Sequence, residues 1–239
     1  MSDSLLTIVQ ENQATVGELQ LSAVIGNNDP DARRVLAIAN RVGRELAKKD
    51  WTLLQREQTF TTTSGTTEYS LPSDYARMID TTAYNATEYW QARGSLSPQE
   101  WRFLKNSFVQ NSTIVDYFRI QPNSTNGAKS FNLEPAPGSG TSFVYEYIST
   151  NWVRNSANTT GKTKFTNDND THVFDDLLFN LGFRYYLRRE YGLDFSVERQ
   201  DYMKEANRVY AQDVPRRRIR LGGEPLAVFN NIPEVGFGS

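Results

Sequence analysis

Apolar residues recur at steps of three and four near both ends of the chain, and alternate with polar residues over short runs between them. Ala32, Val35, Ala39, Val42 and Leu46 share one face of a helix predicted over 31–49, the clearest amphipathic segment in the sequence. Asp29 suits its N-cap and Pro30 its first turn. Its small residues Ala32, Ala39, Gly43 and Ala47 would let another helix approach closely. A shorter helix is expected over 4–13, carrying Leu5, Leu6, Ile8 and Val9, before a looser 16–25 stretch and a Gly26–Pro30 turn. Towards the other end, Phe174, Leu177, Leu178, Leu181 and Tyr185 form a second helical stripe. Asp170 stands where its N-cap belongs, Asp175 and Asp176 complement the dipole, and Gly192 offers a left-handed stop. A further helix runs from about Ser196 to Asp213 with Tyr202, Ala206, Val209 and Tyr210, and Pro215 ends it. These stripes need a partner, and the 31–49 helix is the natural one, so both chain ends should build one bundle.

Between the helices the period drops to two. Runs over 58–63 and 67–71 flank Ser64-Gly65, which predicts a hairpin. Further strands are expected over 77–84, in a pair around Arg93-Gly94 within 89–96, and over 115–121, 130–134 and 141–150. Ser97-Pro98-Gln99-Glu100 is a capping box opening a short helix through Phe108, with Trp101 and Leu104 inward. Residues 153–169 read as a patternless loop. The expected fold is α+β: a helical bundle from residues 1–54 and 165–215, an inserted small antiparallel β domain over 55–164, and an extended C-terminal docking arm over 216–239.

A hydrophobic content of 38% and a mean hydropathy of −0.59 are low for one compact core yet too high for a disordered chain. The net charge of −2 provides no global attraction to nucleic acid or membrane. With no cysteine, disulfides and thiolate metal sites are excluded. The acidic, early-polar start predicts no signal peptide, and no apolar run is long enough to span a bilayer, so a soluble, intracellularly made protein is expected.

Candidate chemistry is sparse. Gly161-Lys162-Thr163 resembles the end of a phosphate-binding loop, but Ser156 occupies the position of its first glycine. Asp168-Asn169-Asp170 resembles the start of a calcium loop, but Val173 and Phe179 fill its glycine and glutamate positions. His172, the single histidine, reads as a surface or capping residue. Trp90, Trp101 and Trp152 would make a carbohydrate-binding platform only if exposed together, and burial is the expectation for each. No enzyme activity, cofactor or metal site is expected. The one concentration of charge is Arg216, Arg217, Arg218 and Arg220, suited to carboxylates or phosphates, or to a solvated helix end. Behind it, Leu226, Phe229, Ile232 and Phe237 make an apolar tail that either packs on its own domain or docks on a partner.

The order of segments carries more than any residue. SLLTIVQE, DPDARRVLAIANRVGRELAKKDW, YSLPSDYARMID, SPQEWRFLK, FNLEPAPGSG with FVYEYISTNWV, and DNDTHVFDDLLFNLGFRYYLRREYGLDF follow one another to about Gln212. That order resembles the head-to-tail adaptors of short-tailed bacteriophages (podoviruses), the group often called tail tubular protein A. The resemblance implies a non-enzymatic virion protein at the head–tail junction, made in the host bacterial cytoplasm. It implies a homo-oligomeric ring, commonly of twelve copies, between the portal protein and the tail nozzle protein, through which double-stranded DNA passes without sequence recognition. The eight arm residues just named are then the candidate docking contacts, with the portal as the favoured surface. The alternative is an aromatic-rich phage receptor- or carbohydrate-binding module.

Overall fold

The computed structural model describes residues 2–106, 115–123 and 127–213. Among these are five helices: α1 (Leu5–Val16), α2 (Pro30–Leu46), α3 (Pro98–Asn106), α4 (Asp176–Glu190) and α5 (Ser196–Asp213). The strands are β1 (Gln55–Thr61), β2 (Glu68–Ser70), β3 (Tyr75–Met78), β4 (Tyr84–Asn85), β5 (Trp90–Gln91), β6 (Tyr117–Pro122), β7 (Lys129–Glu134), β8 (Ser142–Ser149), β9 (Val153–Arg154), β10 (Gly161–Lys162) and β11 (Thr171–His172). The fold is mixed α+β, and the chain divides into two compact units.

Among the described residues, the helical unit comprises 2–58, 71–80 and 145–213. Asp29 caps α2 by accepting from the Asp31 amide at 2.9 Å, and Pro30 occupies the first turn, as their residue types dictate. The predicted α2 stripe is buried, and Ile38 joins it. On α4, Gly182 lies against α2: a Cβ there would stand 3.0 Å from a Val42 methyl and 2.8 Å from the Tyr202 ring of α5. Helices from the two chain ends therefore do share one core. Of the small residues of α2, Ala32 and Ala39 are buried as expected, but Gly43 serves a different purpose. A Cβ on Gly43 would lie 2.1 Å from the Trp152 ring, so that glycine seats an indole instead of a helix.

Trp152 is 1% exposed and packs on Phe165 edge-on at 5.2 Å, with Phe174 and Phe179 both at 6.3 Å. Trp51 closes the other end of the core, its indole N–H donating to the Leu46 carbonyl at 2.8 Å and its ring meeting Tyr210. At the end of α5, the Asp213 carboxylate accepts from the Thr52 amide at 2.7 Å and from the Thr52 hydroxyl. The α4 stripe is rotated from the expected one: Leu178, Phe179, Gly182, Phe183, Tyr186 and Leu187 are buried, while Leu177 is 55% exposed. The helix is apolar around more than half its circumference, and the large phenylalanine surfaces decide which side turns inward. Its N-cap is Asp175, which accepts from the Leu178 amide at 3.0 Å, not Asp170. Residues 153–169 are likewise not a bare loop, since β10 and β11 both pair with β9 in a three-stranded antiparallel sheet. Within this unit β3 pairs with the last residues of β8.

The β unit comprises Thr59–Ser70 and Thr81–Val144 among the described residues. Strands β2, β7 and β6 form one antiparallel sheet, and β4 pairs with both β5 and the first residues of β8. Its core is aromatic: Phe118 stacks on Phe131 at 4.8 Å, and Phe60 stacks on Phe143 at 5.7 Å. The Ser64-Gly65 turn forms, but its flanking strands diverge, β1 pairing with β8 and β2 with β7. Local chemistry sets the turn; the non-local aromatic contacts of Phe60 with Phe131 and Phe143 set the partners. The strand expected over 77–84 is broken by a turn in which Thr81 has φ 64°, leaving β3 and β4 separate. No hairpin forms around Arg93-Gly94. Instead Arg93 bridges Tyr117 in parallel, and a Cβ on Gly94 would lie 2.3 Å from the Phe118 carbonyl oxygen, so the glycine permits a close backbone approach. The capping box is present: the Ser97 amide donates to Glu100 at 2.8 Å and the Glu100 amide donates to the Ser97 hydroxyl at 3.3 Å. Trp101 points inward at 4% exposure, and Leu104 is half-buried; Phe108 lies outside the described residues.

The Gly43–Trp152 seat gives a direct test. Alanine improves helix propensity by about 1 kcal/mol over glycine, yet Gly43→Ala must displace a buried ring. It should lower stability by about 2 kcal/mol, read as a fall in unfolding temperature on thermal denaturation.

Candidate partner-binding groove

The residues singled out for docking, Arg216, Arg217, Arg218, Arg220, Leu226, Phe229, Ile232 and Phe237, lie outside the described residues. The other candidates can be placed. Lys162 and Asp170 are neither a phosphate loop nor a calcium loop but a staple. Asp170 is 1% exposed and accepts from the Lys162 ammonium at 2.8 and 2.9 Å and from the Thr166 and Asn167 amides at 2.8 and 2.9 Å. Burial pushes against ionisation of Asp170, but the Lys162 hydrogen bonds, the two amides and the Lys162 charge together hold its pKa below the usual carboxylate value. Asp168 is consumed the same way, accepting from the Val24 and Ile25 amides at 3.1 and 2.8 Å. Among the described residues, no group of three His, Asp or Glu side chains is arranged to hold a metal, and no helix is long and apolar enough to cross a membrane.

His172 is not a surface residue. It is 2% exposed, stacked on Phe179 at 4.2 Å, and its Nδ1 lies 3.1 Å from the Phe174 carbonyl, which can only accept. That bond places the proton on Nδ1 and leaves Nε2 without a hydrogen-bond partner, 3.5 Å from an Asp176 oxygen. Burial pushes the histidine down to about 4, against the opposing pull of the Phe174 carbonyl, Asp3 and Asp175. The tryptophans do not make a platform either, since Trp101 and Trp152 are buried at 4% and 1% exposure.

What the fold does present is a groove on the outward side of α2, a feature the sequence reading missed. It is a cleft of about 700 Å³. Leu36, Ala37 and Ala47 of α2, with Ala76 and one edge of Trp152, make an apolar floor. Arg33, Arg44, Lys48 and Lys164 stand around it, and no carboxylate lines it. The signal was available: Arg33, Ala37, Arg44 and Lys48 recur on the side of α2 opposite the core stripe. The other arginines of α2 are neutralised, Arg34 by Asp31 at 3.1 Å and Arg41 by Glu45 at 3.5 Å. By contrast, the groove cations form no ion pair among the described residues. Arg33 donates to the Asn28 side chain at 3.1 Å and Arg44 to the Asn40 carbonyl at 3.0 Å, which hold them in place without cancelling their charge. Behind the floor, Asp74 accepts from the Tyr147 and Ser149 hydroxyls at 3.0 and 2.6 Å, so its carboxylate is already engaged. The groove therefore suits an apolar ligand that carries negative charge and no positive charge.

The family model described as SU10 adaptor protein matches residues 13–224. No curated protein matches the chain. The match takes in α2 through α5 and the arginine run, and stops before Leu226, Phe229, Ile232 and Phe237.

Two outcomes follow from these buried charges. Lys162→Met strands a buried carboxylate and should destabilise the protein by about 3 kcal/mol, measured by chemical denaturation. For His172 the folded pKa lies below the unfolded value near 6.5, so the unfolded state binds the extra proton. Its contribution is complete above about pH 6.5 and declines as the pH falls towards about 4. Thermal unfolding across that window should show the fall, and His172→Phe, which keeps a ring on Phe179, should flatten it; the Asp170 contribution is lost only below about pH 4.

Proposed function

This chain belongs to the SU10 adaptor protein family, a family of bacteriophage head–tail adaptors, and from that premise we propose the arrangement in which it acts. It is a structural adaptor of the virion. Identical copies, twelve as the expected number, form a ring that joins the portal to the tail nozzle and surrounds the path of the ejected DNA. The protein performs no chemistry in this role; rigidity and complementary surfaces are what the task requires. The observation that carries the reading is the family match over residues 13–224. The packing supports it: a core braced by Trp51 and Trp152 gives a stiff body, and the unpaired cations along α2 give it a surface prepared for a partner.

The arm has the connecting role. Leu226, Phe229, Ile232 and Phe237 supply apolar anchors to a neighbouring subunit of the junction. Arg216, Arg217, Arg218 and Arg220 set register against carboxylates, or against DNA phosphates where they face the channel. Each buried large apolar side chain is worth ~1.5–3 kcal/mol, and closure of a ring multiplies weak contacts through avidity.

The test is assembly. Purified protein mixed with the portal protein of the same phage should add a ring of density below the portal in electron micrographs, with twelvefold symmetry. A chain that stays monomeric beside the portal, and is missing from mature particles by mass spectrometry, overturns the proposal.

A further inference from the structure

We infer that the α2 groove of one copy is the seat for residues 221–239 of the adjacent copy; this rests on the adaptor reading and specifies the contact that joins its subunits. The groove asks for a segment that is apolar, anionic and free of cations. Residues 221–239 have that composition: Leu226, Val228, Phe229, Ile232, Val235 and Phe237 stand among small residues, prolines and asparagines, Glu224 and Glu234 are the charged side chains, and there is no lysine or arginine. Two glutamates ten positions apart can meet cations spread along a helix face, while the apolar residues between them cover Leu36, Ala37 and Ala47.

The same charges argue for a neighbour's groove over the chain's own. Asp213, the last described residue of α5, is bonded to Thr52, and the Lys49 ammonium lies 4.9 Å from the Tyr210 ring centroid. Asp213 therefore lies at the turn that follows α2, close to Lys49 and Thr52. The direct route from there into its own groove would bring Arg216–Arg220 past Lys48 and Arg44, placing like charges together. A neighbouring groove removes that conflict, because the arginine run stays between subunits while the anionic part is seated. Twenty-six residues beyond Asp213 reach up to roughly 85 Å at full extension, so length is no obstacle.

The experiment uses the full chain under ring-forming conditions, with a photo-crosslinking residue replacing Phe229 and equal amounts of isotopically heavy and light protein. Crosslinks between heavy and light chains that land on α2 or on 152–164 are expected. Crosslinks confined to single chains would place the arm in its own groove and overturn the inference. Crosslinks to the portal, to another face, or none at all also overturn it, while the ring seen by microscopy leaves the adaptor reading standing. In parallel, Arg44→Glu with Lys48→Glu should weaken self-association at least about tenfold, measured by sedimentation, with the unfolding temperature confirming an intact subunit. Adding Glu224→Lys and Glu234→Lys to the same chain should restore association. Unchanged association in the first variant, or no rescue in the second, counts against the pairing.

Discussion

The seat of Trp152 on Gly43 is the constraint from which the helical unit takes its form. An indole can approach the α2 backbone this closely only where a side chain is missing, and the approach fixes the position of the chain leaving β8. Phe165, Phe174 and Phe179 then pack around the ring, and two of them lie at the entrance to α4. The position of α4 is thereby set relative to α2 before any helix–helix contact is counted. Gly182 completes the arrangement by letting Val42 and Tyr202 close in from opposite partners. A single tryptophan thus ties the β-rich return of the chain to both halves of the bundle.

Buried polar groups reinforce this frame at the place where α1 meets the return segment. The amides of Leu5 and Leu6 donate to the Asp170 and Asp168 carbonyls at 2.9 and 3.1 Å, and both aspartate side chains accept from donors of their own. Asn12 donates to Asn180 at 2.9 Å, adding a polar link between α1 and α4. These bonds gain little net free energy each, but leaving any of the groups unpaired costs more, so they define one arrangement of the N-terminal helix over others.

The bundle from both chain ends was legible because α2 carries clean periodicity and an Asp29-Pro30 start of the right residue types, and α5 begins and ends where the pattern places it. The orientation of α4 was not, because Leu177, Leu178, Phe179, Leu181 and Phe183 offer competing faces and only the neighbours select one. Strand pairing failed for a related reason. The Ser64-Gly65 turn is local and correctly placed, whereas the partners of β1 and β2 depend on phenylalanines more than sixty residues downstream. His172 was misread because the Phe174 carbonyl beside it, two residues on, gives no sign of burial, and the Phe179 ring stacks on it only once the chain turns into α4. The groove was the deepest omission. Its cations were visible on α2, but Lys164 and Trp152 arrive from distant segments, and an unpaired charge can be recognised only once the available carboxylates have been located.

The Asp213–Thr52 bond has a mechanical consequence. A carboxylate at the last position of a helix is unfavourable to the helix dipole, yet here it caps the turn behind α2 through an amide and a hydroxyl. Tension drawn through the chain beyond α5 is therefore delivered into Thr52 and the adjacent Trp51, whose indole is anchored to the Leu46 carbonyl. The load enters the bundle beside the packed rings of Trp51 and Tyr210, where several contacts must yield together. Without that bond, the same pull would peel α5 from its free end one turn at a time.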